Sequence, residues 1–265
     1  MKNKEHILKS TNKPEDRLVI ARLLDKAEIA VKTHKFVHSE FLDPHQVVLA
    51  ESVLTYSDLC EVTFYGGFPG AERSVAVFTP EYADEDETEK YINEILRALK
   101  ITPNARENLT HRDYLGALMG LGIRREVTGD ILVNDNDCNV IVLKEIAGYI
   151  ADNLLKVGNT GVSVTISDCL ELTLPEPKVI DRKTTVSTLR LDSCCAQAFG
   201  ISRSKAAEFI KSGRVKLNWE IVQDADKLLH EGDTISLKGK GKAVLESIGG
   251  KTKKDRITIN IQKYV

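Results

Sequence analysis

Residues 201–218 read Ile201-Ser202-Arg203-Ser204-Lys205-Ala206-Ala207-Glu208-Phe209-Ile210-Lys211-Ser212-Gly213-Arg214-Val215-Lys216-Leu217-Asn218, and they decide the fold of the last third of the chain. Ser202 stands where a side-chain oxygen caps a helix, and Gly213 where a left-handed residue closes one. Between them Ala206, Phe209 and Ile210 fall on one face at helical spacing. The pattern predicts a helix over 203–212 and a strand over 215–218. Upstream, Ser187 reads as the cap of another helix running through Phe199, with Leu191, Cys195 and Ala198 sharing a face. Downstream, a Glu231-Gly232-Asp233 turn leads into a strand over 234–238.

Charge concentrates in the same region. The chain carries a net −2, yet residues 178–265 hold 18 Lys and Arg against 10 Asp and Glu, while the other 177 residues hold 19 against 29. Such asymmetry points to a polyanion-binding module joined to modules with other tasks, since Lys and Arg on phosphates supply most non-specific nucleic-acid affinity. Arg190, Arg203, Lys205, Arg214 and Lys216 are expected to form one cationic face, with a helix N-terminus adding phosphate-binding N–H groups. Lys240, Lys242, Lys251, Lys253 and Lys254 extend the basic surface. A merely solvated basic surface is the alternative.

Composition bounds the rest. With 265 residues, 42% hydrophobic and 29% charged, the chain has room for two or three folded modules and is neither disordered, collagen-like nor a disulfide-stapled miniprotein. No apolar run reaches about 18 residues and the first residues lack a secretory core, so a cytoplasmic protein with no membrane partner is expected. Five cysteines without a CxxC spacing argue against a disulfide framework or a paired-thiolate zinc site. Buried, reduced thiols are the expectation; the alternative is that one of the neighbours Cys194 and Cys195, which cannot both face one core on a helix, is a reactive thiol. His34 and His38 lack the intervening HExxH pattern, and no metal or cofactor is expected.

The fold class is α+β, in three modules: 1–80, a small α/β domain; 90–170, a ferredoxin-like split βαβ domain; and 181–265, the basic domain. In the first, Leu18, Ala21, Leu24 and Ala27 mark one helix, and Asp43-Pro44 opens a second carrying Val47, Ala50 and Leu54. Strands over 61–65 and 73–79 flank Gly66-Gly67-Phe68-Pro69-Gly70, whose glycines permit positive φ and close backbone approach. This loop lacks the Lys-Ser/Thr ending of a phosphate-binding loop. Residues 81–89 hold six acids in nine positions and read as a linker; Leu174-Pro175-Glu176-Pro177 reads as a second joint. The middle module runs strand, helix, strand, strand, helix, strand, with Thr110 and Asp113 boxing the first helix. It shows no aromatic pair of the kind that stacks RNA bases on a sheet. His111, Arg112, Arg124 and Arg125 are its candidate phosphate contacts.

Leu189-Arg190-Leu191-Asp192, the 201–218 stretch and Glu231-Gly232-Asp233-Thr234-Ile235 together resemble the S-four RNA-binding domain, named after the fourth small-subunit ribosomal protein. Phe41-Leu42-Asp43-Pro44, Tyr65-Gly66-Gly67, Gly70-Ala71-Glu72-Arg73, Leu109 to Leu118 and Gly122-Ile123-Arg124-Arg125-Glu126 extend the likeness over essentially the whole chain, which resembles the bacterial YlmH family. The resemblance implies a role on RNA, rRNA or tRNA, with association to the large ribosomal subunit and rescue of stalled translation by stabilising tRNA there; gene neighbourhood also links the family to cell division. By family position Arg190, Arg203 and Lys205 match RNA-facing residues. Trp219 departs, standing where such domains usually place Gly after Asn: its indole either stacks on a base, or the turn differs and buries it.

The same domain is often fused to pseudouridine synthases, so an RNA-modifying enzyme is the rival reading. Asp192 after Arg190-Leu191 imitates a synthase motif but lies within the expected RNA-binding helix, and no Ser/His/Asp or Cys/His set assembles from the sequence. No catalytic residue is assigned. A scaffold that meets a protein partner, such as a division protein, through the acidic first module is the third reading.

Overall fold

The computed structural model describes residues 14–54, 59–172, 174 and 179–264. The chain divides into two compact units between residues 175 and 176, so the joint expected at 174–177 falls largely outside the described residues.

The first unit opens with helices α1 (Pro14–Thr33) and α2 (Pro44–Leu54) against an antiparallel sheet of β1 (Val37–His38), β2 (Glu61–Tyr65) and β3 (Val75–Thr79), in the order β1-β3-β2. At the start of α2 a carboxylate oxygen of Asp43 accepts from Gln46 N and the Gln46 side chain accepts from Asp43 N, both at 2.9 Å, so two backbone donors are satisfied reciprocally. The buried stripe of α1 is Ile20, Leu23, Leu24, Ala27 and Ala30, and Leu18, expected on it, is 54% exposed. Apolar residues ring this helix, so periodicity alone left the choice of stripe open.

The acid-rich run is not a linker. Asp84 caps helix α3 (Glu85–Ile95): its carboxylate accepts from Glu87 N at 2.9 Å, and Glu87 accepts in return from Asp84 N. Glu85, Asp86 and Glu87 occupy the first turn, where the positive end of the helix dipole offsets their mutual repulsion.

The next elements follow the expected order: β4 (Leu96–Pro103), α4 (His111–Gly120), β5 (Thr128–Val133), β6 (Cys138–Leu143), α5 (Lys144–Asn153), a short β7 (Lys156–Val157) and β8 (Thr160–Ser167). They form an antiparallel sheet of order β5-β6-β4-β8-β7, a split βαβ layout with one added edge strand. On one face Leu99, Ile101, Val140 and Val142 pack with Tyr114 and Leu118 of α4 and with Ala147 and Ile150 of α5. On the other, Ala98, Ile141 and Leu143 meet Phe41, Val75, Val77 and Ile92. Strand β3 is buried throughout because Ala76 and Phe78 face α1 and α2 while Val75 and Val77 face this second sheet.

Two glycines make the seam close. A Cβ on Gly129 would lie 2.7 Å from the Phe41 ring, and one on Gly67, at φ +98°, 2.9 Å from Ile141 Cγ2. The glycine loop thus brings the first module onto the second sheet.

The second unit comprises β9 (Val179–Val186), α6 (Leu191–Phe199), α7 (Arg203–Lys211), β10 (Val215–Leu217), β11 (Glu220–Ile221), β12 (Thr234–Leu237), β13 (Gly241–Lys251) and β14 (Ile257–Tyr264). The sheet order is β11-β10-β12-β13-β14-β9, antiparallel throughout. The helix expected from Ser187 starts at Leu191, because β9 pairs with β14 up to Val186. Beneath the lysines of 240–263 runs a strand alternation: Ala243, Leu245, Ile259 and Ile261 enter the core with Leu191, Phe199 and Ile210.

Cys194 and Cys195 are both fully buried, as the buried-thiol reading expects; the premise that two neighbours cannot both enter a core fails because α6 is enclosed on nearly every side. Burial pushes both thiols up to about 12. Among the described residues no helix is long and apolar enough to cross a membrane.

Candidate nucleic-acid interface

One carboxylate organises the helix side of the second unit. Asp192 lies in the first turn of α6 with its side chain 7% exposed. It accepts from Arg203 Nε at 2.9 Å, and from Arg190 Nε and Nη2 at 3.4 and 3.3 Å. Arg190 also donates to Asp226. Both guanidinium groups remain partly exposed, so a buried anion fixes two cations at the surface.

The fold delivers this arrangement through local chemistry. Gly200, at φ +63°, turns the chain out of α6, and Ser202 caps α7 by accepting from Lys205 N at 3.2 Å. That places Arg203 in the first turn of α7, opposite Asp192. Nearby, Lys205 Nζ and Arg214 Cζ lie 5.0 and 4.3 Å from the Phe209 ring centroid, one aromatic ring meeting two cations. Lys205 also pairs with Glu208 at 2.8 Å, and Arg214 donates to Lys238 O.

Lys216 belongs elsewhere. Its neighbours Val215 and Leu217 are buried in the core under the helices, so Lys216 projects from the opposite, open face of the sheet. In register beside it run Ser236 and then Lys242, whose Nζ stands 4.3 Å above the Tyr264 ring. Lys240 is exposed in the turn leading to β13. The single cationic face expected from sequence therefore divides: Arg214, just before β10 begins, lies over Phe209 of α7 with Lys205, whereas Lys216, within β10, projects from the face of the sheet away from the buried Val215 and Leu217.

Trp219 sits with Asn218 in the two-residue connection of β10 and β11, fixed by the pairing of Leu217 with Glu220. Both have positive φ, +48° and +65°, the pattern of a type I′ turn. The turn is the one a glycine would make, and the indole is partly exposed.

In the first unit the candidate arginines do not converge. Arg112 is exposed on α4, and Arg124, also exposed, pairs with Glu40. Arg125 turns inward, donating from Nη1 to Thr128 O at 2.9 Å and Gly129 O at 2.8 Å; burial and the neighbouring Arg73 push its pKa down to about 10. Beside it Arg73 donates to Thr128 O, Phe41 O and Arg125 O, at 3.0, 3.1 and 3.1 Å. Asp130 accepts from the N–H groups of Glu72 and Arg73 at 2.6 and 3.2 Å, and its pKa is raised by burial despite those bonds. These residues cross-link the seam, a role the sequence reading did not assign. The signal was an arginine two residues before the uninterrupted apolar run Val75-Ala76-Val77-Phe78. What stays open on the second sheet is a polar hollow of about 560 Å³ lined by Lys100, Asn139 and Thr165, with Asp137 pairing Lys100 at 3.1 Å.

The strand-flanked helix pair that carries Arg190, Asp192 and Arg203 is an S4 domain, an RNA-binding class of module. Family models agree: "S4 domain" matches residues 189–235, "Putative RNA-binding domain in YlmH" matches 93–171, and "YlmH, N-terminal" matches 15–83. The chain is 35% identical, over 252 residues, to the ribosome-associated protein quality control protein P2 of Bacillus subtilis (strain 168), covering 94% of this chain and 96% of that one. It belongs to the YlmH family. A 52-residue match at 36% identity, 20% of this chain and 22% of the relative, links it to an uncharacterized RNA pseudouridine synthase of Aquifex aeolicus (strain VF5). The solved structure of the cell division protein ylmH from Streptococcus pneumoniae shares the fold, with TM-score 0.52 and 20% identity over 63% of this chain and 98% of that one.

Proposed function

We propose that this protein is a non-enzymatic RNA-binding factor that engages the large ribosomal subunit and tRNA and acts in the rescue of stalled translation. The observation that carries the reading is the Arg190–Asp192–Arg203 cluster, in which Asp192 fixes both guanidinium groups and takes only Nε from Arg203, leaving the two Nη groups of Arg203 for phosphate. The named role of the Bacillus subtilis relative supports the ribosomal setting. Lys205 and Arg214 extend the helix-side contact; Lys216, Lys240 and Lys242 offer a second contact across the sheet; Arg112 and Arg124 are proposed as outlying contacts. The synthase reading loses its best acid, since Asp192 is enclosed and shared by two arginines. The acidic first module is proposed as a protein-facing surface.

Co-sedimentation with separated ribosomal subunits across a salt series tests this. Arg203→Glu would set a carboxylate against Asp192 and damage the fold, so the variant is Arg203→Gln/Lys205→Gln. Wild type is expected to pellet with large subunits in a salt-sensitive manner, and the double variant to flatten the log–log salt slope by about 2, roughly one per lost phosphate contact. Pelleting with neither subunit, or a slope indifferent to the substitutions, would reject the reading.

A further inference from the structure

We propose that Trp219 is a stacking platform for an unpaired nucleobase, giving the second unit a preference for single-stranded or looped RNA over duplex. This rests on the reading that the unit binds RNA and adds which form of RNA it selects.

Trp219 occupies φ +65°, a region that crowds any Cβ and that a two-residue hairpin turn normally fills with glycine. The conformation is imposed from outside the indole: Asn218 Nδ2 donates to Asp233 Oδ1 at 2.7 Å, Asn218 Oδ1 accepts from Thr234 N at 2.8 Å, and Asn218 N donates to Thr234 O at 2.9 Å. The turn would form equally well around a glycine.

Core packing does not repay the strain. The hydrophobic core of this unit, with the apolar residues packed against it, is built without Trp219 among the described residues, and the indole keeps part of its surface in solvent. A large, strained aromatic held at a hairpin tip outside the core is placed to meet something else.

The surroundings indicate what that is. The hairpin belongs to residues 178–265, in which cations outnumber acids 18 to 10, and its first strand carries the exposed Lys216. Cations on the strand that leads into a partly exposed aromatic are a pairing that holds single strands, phosphates on the cations and a base on the ring. A base inside a duplex is already stacked on both sides and offers no face to an indole.

The chain contains one tryptophan, so its intrinsic fluorescence reports residue 219 alone. The full chain is titrated with a dye-labelled mixed-sequence RNA 12-mer and with the same strand in a duplex, reading dye anisotropy for binding and tryptophan emission for stacking. The single strand is expected to quench emission in step with anisotropy, and the duplex to bind without quenching. Trp219→Gly, which relieves the backbone strain, is expected to weaken single-strand binding roughly tenfold and leave duplex binding unchanged, with Trp219→Phe restoring most of the loss. Single-strand binding with unaltered emission, or equal single-strand affinity of Trp219→Gly and wild type, overturns the stacking proposal while leaving RNA binding intact. Anisotropy unchanged with either RNA removes the RNA reading, and the stacking proposal with it.

Discussion

The carboxylate of Asp192, on α6, accepts the Nε–H of Arg203, on α7, at 2.9 Å while also holding Arg190 two residues before it. One buried anion thereby sets two surface guanidinium groups on different elements. The three act as a unit, so Asp192→Asn and Arg203→Gln are expected to be non-additive. In a double-mutant cycle on RNA affinity the coupling should exceed about 0.5 kcal/mol. Lys242→Gln, on the opposite face of the sheet, should add independently to either. A cycle showing simple additivity for Asp192 and Arg203 would mean that the carboxylate serves the fold alone.

Arg73 satisfies three backbone carbonyls at the seam of the first unit. Arg73→Met removes this donor from all three; Thr128 O keeps Arg125 and Arg125 O keeps the Thr128 N–H, but Phe41 O loses its side-chain partner, and a loss of about 1–3 kcal/mol is expected in the stability of that unit. Lysine offers a point charge in place of a planar fork, so Arg73→Lys should recover less than half. Hydrogen exchange at the amides of β3 and β6 should report the loss, with β9 and β14 unchanged.

The start of α4 predicts a pH response. The Thr110 hydroxyl and backbone N–H both donate to Asp113, at 2.7 and 2.8 Å, and hold its carboxyl below the usual carboxylate range. A depressed folded-state pKa means that the ionised cap stabilises above the unfolded-state value near 3.8 and is lost as pH falls through the lower folded value. Thr110→Val removes the larger cause, so the Asp113 carboxyl resonance should titrate closer to its ordinary pH. An unchanged titration would show that the cap does not hold in solution.

Cysteine labelling separates the two thiol environments. Cys194 and Cys195 are fully buried with thiols raised to about 12, whereas Cys60 is only partly buried. Iodoacetamide at pH 8 followed by peptide mass mapping should label Cys60 first, and the adjacent pair only once denaturant opens α6. Early labelling of either residue of the pair would place one in a reactive, exposed setting.

The middle sheet shows how far pattern reading reaches. Its order of elements was legible because alternation and helical spacing are local, and Thr110 with Asp113 announced the first helix. That the centre of its outer face is closed by Phe41, Val75 and Val77 was not legible, since those residues look like ordinary core until the first module is placed. The acid run at 81–89 misled for a related reason: repulsion is visible in composition, but the helix dipole that offsets it exists only once α3 forms.

The sequence by itself determined the basic last third, the Ser202 cap, the Gly213 stop and the cations of α7, because caps, periodicity and net charge depend on residues within a turn or two of one another. Tertiary structure alone decided that Asp192 would join Arg190 to Arg203, that Arg214 would lie over the Phe209 ring while Lys216 projects from the open face of the sheet, that Arg125 would turn inward, and that Trp219 would keep a glycine's backbone with its indole outside the core. Each of these depends on which residues distant in sequence a strand register or helix packing brings within 3–5 Å, and no local pattern carries that information.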